Sequence, residues 1–350
     1  MNIVFENVLE RDIDFLIMRR FAMKDVSKEC LDSCLNMLSR FLFSKETPAI
    51  LKDHHSFSLG EGGGFAGILR SIVLINHSCD GICSELIDKA KELLPEIEIE
   101  DNDLTDKSLG LAGIIVTLCR YNEYRNDPQV KKTVYAMAKK LVSLKKLSSG
   151  DVTVWKTLTD KNHPISGAVH GMTGIAEALL MAGDLLKTDE FEEAARDALK
   201  FEDESYCDDC KNWLDRRIPG IKRAAKGNCY GTEGIGIVCT HLKNRGIMRS
   251  EMPRMLERAD TAVRRDAPLM ADHLCCGNMS TVDYFLETGD REAAGKLLND
   301  VVKRKDENGC YKLGLSGEKS NNNVTLFFGL AGIGYELIRF TDPEAYETVL

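Results

Sequence analysis

The chain has 350 residues, 43% of them hydrophobic and 29% charged, with a formal net charge of −9 and a mean hydropathy of −0.21. That is the make-up of a soluble globular protein with room for a large core, and no run approaches the twenty apolar residues of a membrane-spanning helix. The acidic balance excludes a nucleic-acid footprint or an anionic membrane surface as the main partner and leaves a peptide or a small molecule.

The opening Met1-Asn2-Ile3-Val4-Phe5-Glu6 has no basic region followed by an apolar core, so no signal peptide is read and a cytoplasmic location is expected. Twelve cysteines then stand for thiols. In a reducing compartment metal binding, catalysis and packing explain that number better than a disulfide framework.

Residues 1 to 45 carry apolar residues at helical spacing over Glu10 to Ile17 and Cys30 to Leu38, which predicts two helices. After Pro48 comes a glycine-rich turn, Gly60-Glu61-Gly62-Gly63-Gly64-Phe65-Ala66-Gly67. It is not a phosphate-binding loop, because neither Lys-Ser nor Lys-Thr follows and no strand pattern precedes it.

The same turn recurs as Gly-x-x-Gly followed by an apolar run, at Gly64, Gly110, Gly171, Gly231, a degenerate Gly277-Asn278-Met279-Ser280, and Gly329. The first glycines lie 46, 61, 60, 46 and 52 residues apart, room for a helical hairpin in each interval. More polar, amphipathic stretches lie between: Ser84 to Leu94, Pro128 to Leu147, Asp189 to Phe201, Glu251 to Arg265 and Asp290 to Lys305. Alternating apolar and amphipathic helices are what the inner and outer layers of a closed ring require. The expected fold is therefore all-α, an α/α toroid of six inner and six outer helices with all six turns at one end. Glycine opening each inner helix lets backbones crowd there and permits a positive φ.

At that end Cys229, just before the fourth turn, would stand beside Cys275 and Cys276, just before the fifth. Adjacent cysteines do not form a relaxed disulfide with each other. Three thiols with a fourth position open are the arrangement of a catalytic zinc; buried small hydrophobes are the alternative for the same residues. His273, two residues before the pair, is a further candidate ligand in place of one cysteine.

These residues resemble the lanthionine synthetase C-like cyclases, which form thioether rings in peptides. The resemblance covers roughly residues 50 to 350. It rests on the six turns, Cys229-Tyr230-Gly231, Cys275-Cys276-Gly277, His170-Gly171, and Leu326-Phe327-Phe328-Gly329-Leu330-Ala331-Gly332-Ile333-Gly334. The lead-in Glu10-Arg11-Asp12-Ile13-Asp14 looks like the junction between the dehydratase and cyclase domains of class II lanthipeptide synthetases. The resemblance thus implies a lead-in over residues 1–50 and a cyclase domain over 51–350, with the dehydratase domain as the normal partner in the same chain.

It further implies a Zn2+ held by Cys229, Cys275 and Cys276, where most relatives have a Cys-His-Gly turn and a subset of class II cyclases has three cysteines. The implied substrate is a dehydrated precursor peptide, whose cysteine thiolates add to dehydroalanine or dehydrobutyrine. His170 is the implied proton donor, Asp106 its partner, and Tyr230 a further site residue. For Asp106 an ordinary helix N-terminal role stands beside this one, and for Tyr230 wall packing. The family's arginine four residues before the first zinc cysteine is Ala225 here, which leaves that role unassigned; Arg223 and Lys226 are the nearest cations.

A non-catalytic peptide-binding or scaffolding relative is the alternative function. A glycoside hydrolase on the same kind of toroid is a third, but it needs a carboxylate pair that Asp106 alone does not make. Cys207-Asp208-Asp209-Cys210 has redox or zinc-ribbon spacing without a second pair to complete a four-cysteine site, and an exposed loop thiol pair is expected. Cys79 and Cys83, with His77 nearby, are expected to pack at the end of the first inner helix.

Overall fold

The protein is described by a computed structural model over residues 28–52, 59–62, 64–78, 81–97, 104–157, 163–217, 220, 222–314, 323–344 and 346–350. The expected helix over Glu10 to Ile17 and the thiol of Cys79 lie outside those residues. Helices α1 (Lys28–Leu42) and α2 (Thr47–Lys52) precede the first glycine turn. Inner and outer helices then alternate: α3 (Phe65–Ser78) with α4 (Ser84–Leu93), α5 (Leu111–Arg125) with α6 (Pro128–Ser143), and α7 (Met172–Leu186) with α8 (Glu192–Glu204). The series continues with α9 (Thr232–Asn244) and α10 (Met252–Asp266), then α11 (Asn278–Glu287) and α12 (Arg291–Asn308), and ends on the inner helix α13 (Leu330–Arg339).

From α3 to α11 each inner helix packs against the next inner helix and against its own outer partner, and α1 adds an outer helix against α4. The C-terminal tail ties the last inner helix to the first. Arg70 on α3 donates to the carbonyls of Thr348 and Val349, while Arg339 on α13 donates through Nε to the carbonyl of Tyr346. The architecture is an α/α toroid.

The two helix types start differently. Outer α6 begins at Asp127, whose side chain accepts from the amides of Gln129 and Val130, with Pro128 in the first turn. Inner helices begin at a glycine with no side-chain cap. Their first amides are met from the preceding turn instead: Leu111 donates to the carbonyl of Leu104, Met172 to Ile165, Asn278 to Ala271 and Leu330 to Asn323. The repeated motif is thus a loop folded back onto the helix it opens. A Cβ on Gly113 would stand 2.0 Å from the carbonyl oxygen of Lys107, which explains why the second glycine recurs as well as the first.

Backbone hydrogen bonds join successive turns along one rim. Glu61 donates to Lys107, Lys107 to Val169, Val169 to Cys229, Asn228 to Cys275, and Cys275 to Phe327. All six turns therefore share one end of the toroid. The opening glycines do not use positive φ, contrary to expectation: Gly110, Gly171, Gly231, Gly277 and Gly329 are extended, with φ between −131 and −113. Close approach is what requires glycine there.

Two short hairpins were not legible as strands. β1 (Leu147–Ser149) pairs antiparallel with β2 (Val152–Val154), and β3 (Tyr206–Cys207) with β4 (Asn212–Trp213). They fall in the two longest glycine intervals and account for the added length.

The ring interior also differs from a purely apolar core. Lys107 reaches Glu177 at 2.7 Å, Arg120 stands 3.6 Å from the same carboxylate, and His241 bonds Glu287 at 2.7 Å. Arg339, fully buried, meets Asp283 at 2.5 Å and also pairs with Glu287 and Glu336. These charges come from inner helices and the turn before α5, so the ring interior holds paired ions. Among the described residues no helix is long and apolar enough to cross a membrane.

Candidate functional site

The rim of turns collects the residues singled out in the sequence. Asp106 lies in the turn before α5, His170 in the turn before α7, Cys229 and Tyr230 in the turn before α9, and Cys275 and Cys276 in the turn before α11. Two glycines set the local backbone. Gly227 has a φ of +86, and a Cβ on it would lie 2.2 Å from the Cα of Cys276. Gly167 has a φ of +118, and a Cβ there would lie 2.5 Å from the Cα of Tyr230. Any side chain at either position would push apart turns that carry site residues.

Asp106 is fully buried and works in two directions. Oδ1 accepts from the amide of Leu109 at 2.6 Å, and Oδ2 meets Nδ1 of His170 at 2.9 Å. A carboxylate only accepts, so Nδ1 of His170 carries the proton of that bond and Nε2 is the atom left for chemistry. Burial pulls the imidazole pKa down, but the hydrogen bond to Asp106 and the charges of Asp106 and Cys229 outweigh it, and the pKa is raised from its ordinary value. His170 stacks on Tyr230, ring centroids 5.0 Å apart and planes 24° from parallel.

The turn carrying His170 is braced from outside the ring. Glu202 on α8 accepts from the amide of Gly167 at 3.0 Å and from that of Thr173 at 3.2 Å. Burial raises its pKa to about 7.

Sγ of Cys229 lies 2.6 Å from Sγ of Cys275, and the thiol of Cys276 also hydrogen-bonds Cys275. All three are free thiols. Bonds to Cys275, followed by opposing desolvation and the attraction of His170 and Arg217, lower the pKa of Cys229, whereas bonds to both neighbours and then burial raise that of Cys275. The three sulfurs form a soft donor set that suits zinc. Two sulfurs holding one zinc would stand farther apart than the 2.6 Å between those of Cys229 and Cys275. Among the described residues no three ligating side chains are already spaced as a coordination shell.

His273 does not join the sulfurs. Its Nδ1 accepts from the amide of Cys276 at 3.4 Å and its ring packs on Phe328, so it steadies the cysteine turn. Arg223 is bound to Asp215, and Lys226 lies 3.5 Å from Asp266.

A further cation at the site, not singled out in the sequence, is Arg217. Its guanidinium carbon lies 4.3 Å from the centroid of the Tyr230 ring, and Asp215 grips it through Nε at 2.8 Å and an η nitrogen at 2.7 Å. Asp215 first, and then Tyr230 and Cys276, hold its charge in place. The strand pairing at Trp213 and the amide bond from Asp215 to the carbonyl of Arg223 bring it there, a hairpin geometry invisible in a lone Asp-Arg-Arg.

Residues 17–350 match the family model described as Lanthionine synthetase C-like protein. Among solved structures the chain is similar to one titled nisin cyclase, with a TM-score of 0.65 and 17% identity over 95% of this chain and 87% of that one. No curated protein matches the sequence.

Proposed function

The chain belongs to the lanthionine synthetase C-like family, and on that premise we propose that it is a zinc-dependent lanthipeptide cyclase acting on a dehydrated precursor peptide. Cysteine thiolates of the peptide add to dehydroalanine or dehydrobutyrine, giving lanthionine or methyllanthionine rings. Cys229, Cys275 and Cys276 would hold the Zn2+, and Asp106, His170 and Tyr230 would carry out the rest. When bound, zinc supplies a Lewis acid that keeps a thiol in its reactive thiolate form at neutral pH.

The other steps rest on this chain's own side chains. Addition of sulfur to the double bond moves charge toward the neighbouring carbonyl and leaves a carbon to be protonated. His170 holds a proton for that carbon on Nε2, since Asp106 fixes the other nitrogen. Arg217 offers a fixed positive charge for the developing enolate in place of an arginine at the position of Ala225. Tyr230 contacts both the imidazole and the guanidinium with one ring. Three cysteine thiolates holding the metal would give the centre a net negative charge and would make a substrate sulfur held there electron-rich, which favours a reactive and less selective cyclase.

One observation carries this reading: the Asp106–His170 pair and the Cys229–Cys275 sulfurs come from four different turns yet share one hydrogen-bonded rim. The lead-in over residues 1–50 as a junction to a dehydratase domain, and the cytoplasmic location, belong to the same proposal. The test is zinc content measured together with thiol loss on a dehydrated peptide. Zinc bound with thiol consumed supports the cyclase. Zinc bound with no thiol consumed replaces it with the non-catalytic peptide-binding alternative.

A further inference from the structure

The hairpin β3–β4 holds two thiols that the cyclase reading does not use. Cys207 ends β3 opposite Asn212, and the loop from Asp208 to Lys211 brings Cys210 back toward it, with Lys211 at a φ of +51. Both are free and half-buried. Three donors converge on the sulfur of Cys207: the amide of Cys210 at 3.4 Å, the amide of Asp209, and the thiol of Cys210. Successive backbone amides aimed at one atom form an anion-holding concavity, and here they face a sulfur, whose pKa the bonds to Cys210 lower first. The thiol of Cys210 accordingly faces the opposite way in its acid–base balance, raised by its bond to Cys207.

The loop is held from the neighbouring helix. Arg265 on α10 donates to the carbonyls of Cys210 and Lys211, and Arg258 lies 4.1 Å over the ring of Tyr206. The two cysteines are therefore presented by a braced hairpin rather than by a loose loop.

We propose that Cys207 and Cys210 form a second reactive site, a dithiol that exchanges with a disulfide. The Cys207 thiolate attacks one sulfur of the disulfide, forming a mixed disulfide and releasing the other sulfur as a thiolate that takes up a proton. Cys210 then loses its proton and attacks the sulfur of Cys207, forming the Cys207–Cys210 bond and releasing the second thiol. Two protein thiols are oxidised and one disulfide is reduced to two thiols, so the exchange balances. The ligand class is a disulfide, either glutathione disulfide or an oxidised cysteine peptide. If the latter, and resting on the cyclase reading, the pair would return free thiols to a substrate whose cysteines have paired.

The zinc-loaded full chain and its Cys210→Ser variant are exposed separately to glutathione disulfide and to a synthetic peptide closed by one disulfide, then mapped by mass spectrometry. In the unaltered chain an internal Cys207–Cys210 disulfide is expected, with release of free thiol. In Cys210→Ser a mixed disulfide is expected on Cys207, forming about tenfold faster than on the half-buried Cys310 of the same molecule. The faster of the two arms identifies the source of the disulfide. Equal rates at Cys207 and Cys310, or no internal disulfide from either reagent, would overturn the proposal. Because capture is read at Cys207, its failure leaves thiol loss on a dehydrated peptide, and so the cyclase reading, untouched.

Discussion

Asp106 holds His170 with one carboxylate oxygen and its own turn with the other. Of the two roles open to it in the sequence, the histidine partner is the one the geometry shows: its other oxygen binds the amide of Leu109 within the turn, while α5 opens at Gly110 with no side-chain cap.

Replacing Asp106 by Asn separates the two contacts. The amide oxygen still accepts from Leu109, so thermal unfolding is expected to shift by no more than about 1 kcal/mol. The charge that holds the imidazole is gone, and cyclisation measured by thiol loss is expected to fall by roughly 100-fold or more. A variant as active as the unaltered chain would remove His170 from the role of acid.

At the sulfur cluster, Cys276→Ala is expected to release zinc, read as metal per chain after dialysis, with little change in helix content. Cys276→His should retain the metal and be slower and more selective among peptides. If that variant cyclises every tested peptide at least as fast, the distinctive reactivity assigned to the third thiol is wrong.

Arg217→Gln is expected to lower the turnover rate by roughly 10- to 100-fold while zinc content stays unchanged. Lysine should restore little of it, because the paired contacts to Asp215 and the stacking on Tyr230 need a planar guanidinium. Unchanged turnover in both variants would show that the cation only braces the hairpin.

Glu202 gives a pH dependence of stability. Its folded pKa of about 7 lies above the ordinary 4.5, so between those values the unfolded chain loses its proton while the folded chain keeps it. Stability is therefore lost as pH rises through that window, by about 3 kcal/mol in total for this group. Urea unfolding of Glu202→Gln on either side of the window should show a shallower slope than the unaltered chain; an identical slope would refute the assignment.

Arg339 is expected to be among the costliest residues to lose. Truncation to Ala leaves Asp283, Glu287 and Glu336 facing one another around a buried gap, at about 3–5 kcal/mol. Pairing Arg339→Met with Asp283→Asn should recover part of that, as followed by thermal unfolding.

The toroid was readable in the chain because its repeat is enforced locally: each glycine turn folds back on the helix it opens, so the physical unit and the sequence unit coincide. Cys229, Cys275, Cys276, His170 and Asp106 were placed correctly on one rim for the same reason. Arg217 was not readable. It reaches Tyr230 through a two-residue strand pairing and an ion pair with Asp215, neither of which leaves a periodic trace. The charged interior was equally hidden, since single polar residues such as Glu177 and Arg339 in apolar helices do not announce that their partners lie on other helices.

The shared rim has one more consequence. Every inner helix begins there, so the amide-bearing ends of six aligned peptide dipoles converge on the same circle, each worth about half a positive charge. Three sulfurs at one spot would be a heavy negative load once ionised. The outer helices run the opposite way and offset that field over the ring as a whole, so what favours negative sulfur is local: α9 and α11 open within two residues of Cys229, Cys275 and Cys276.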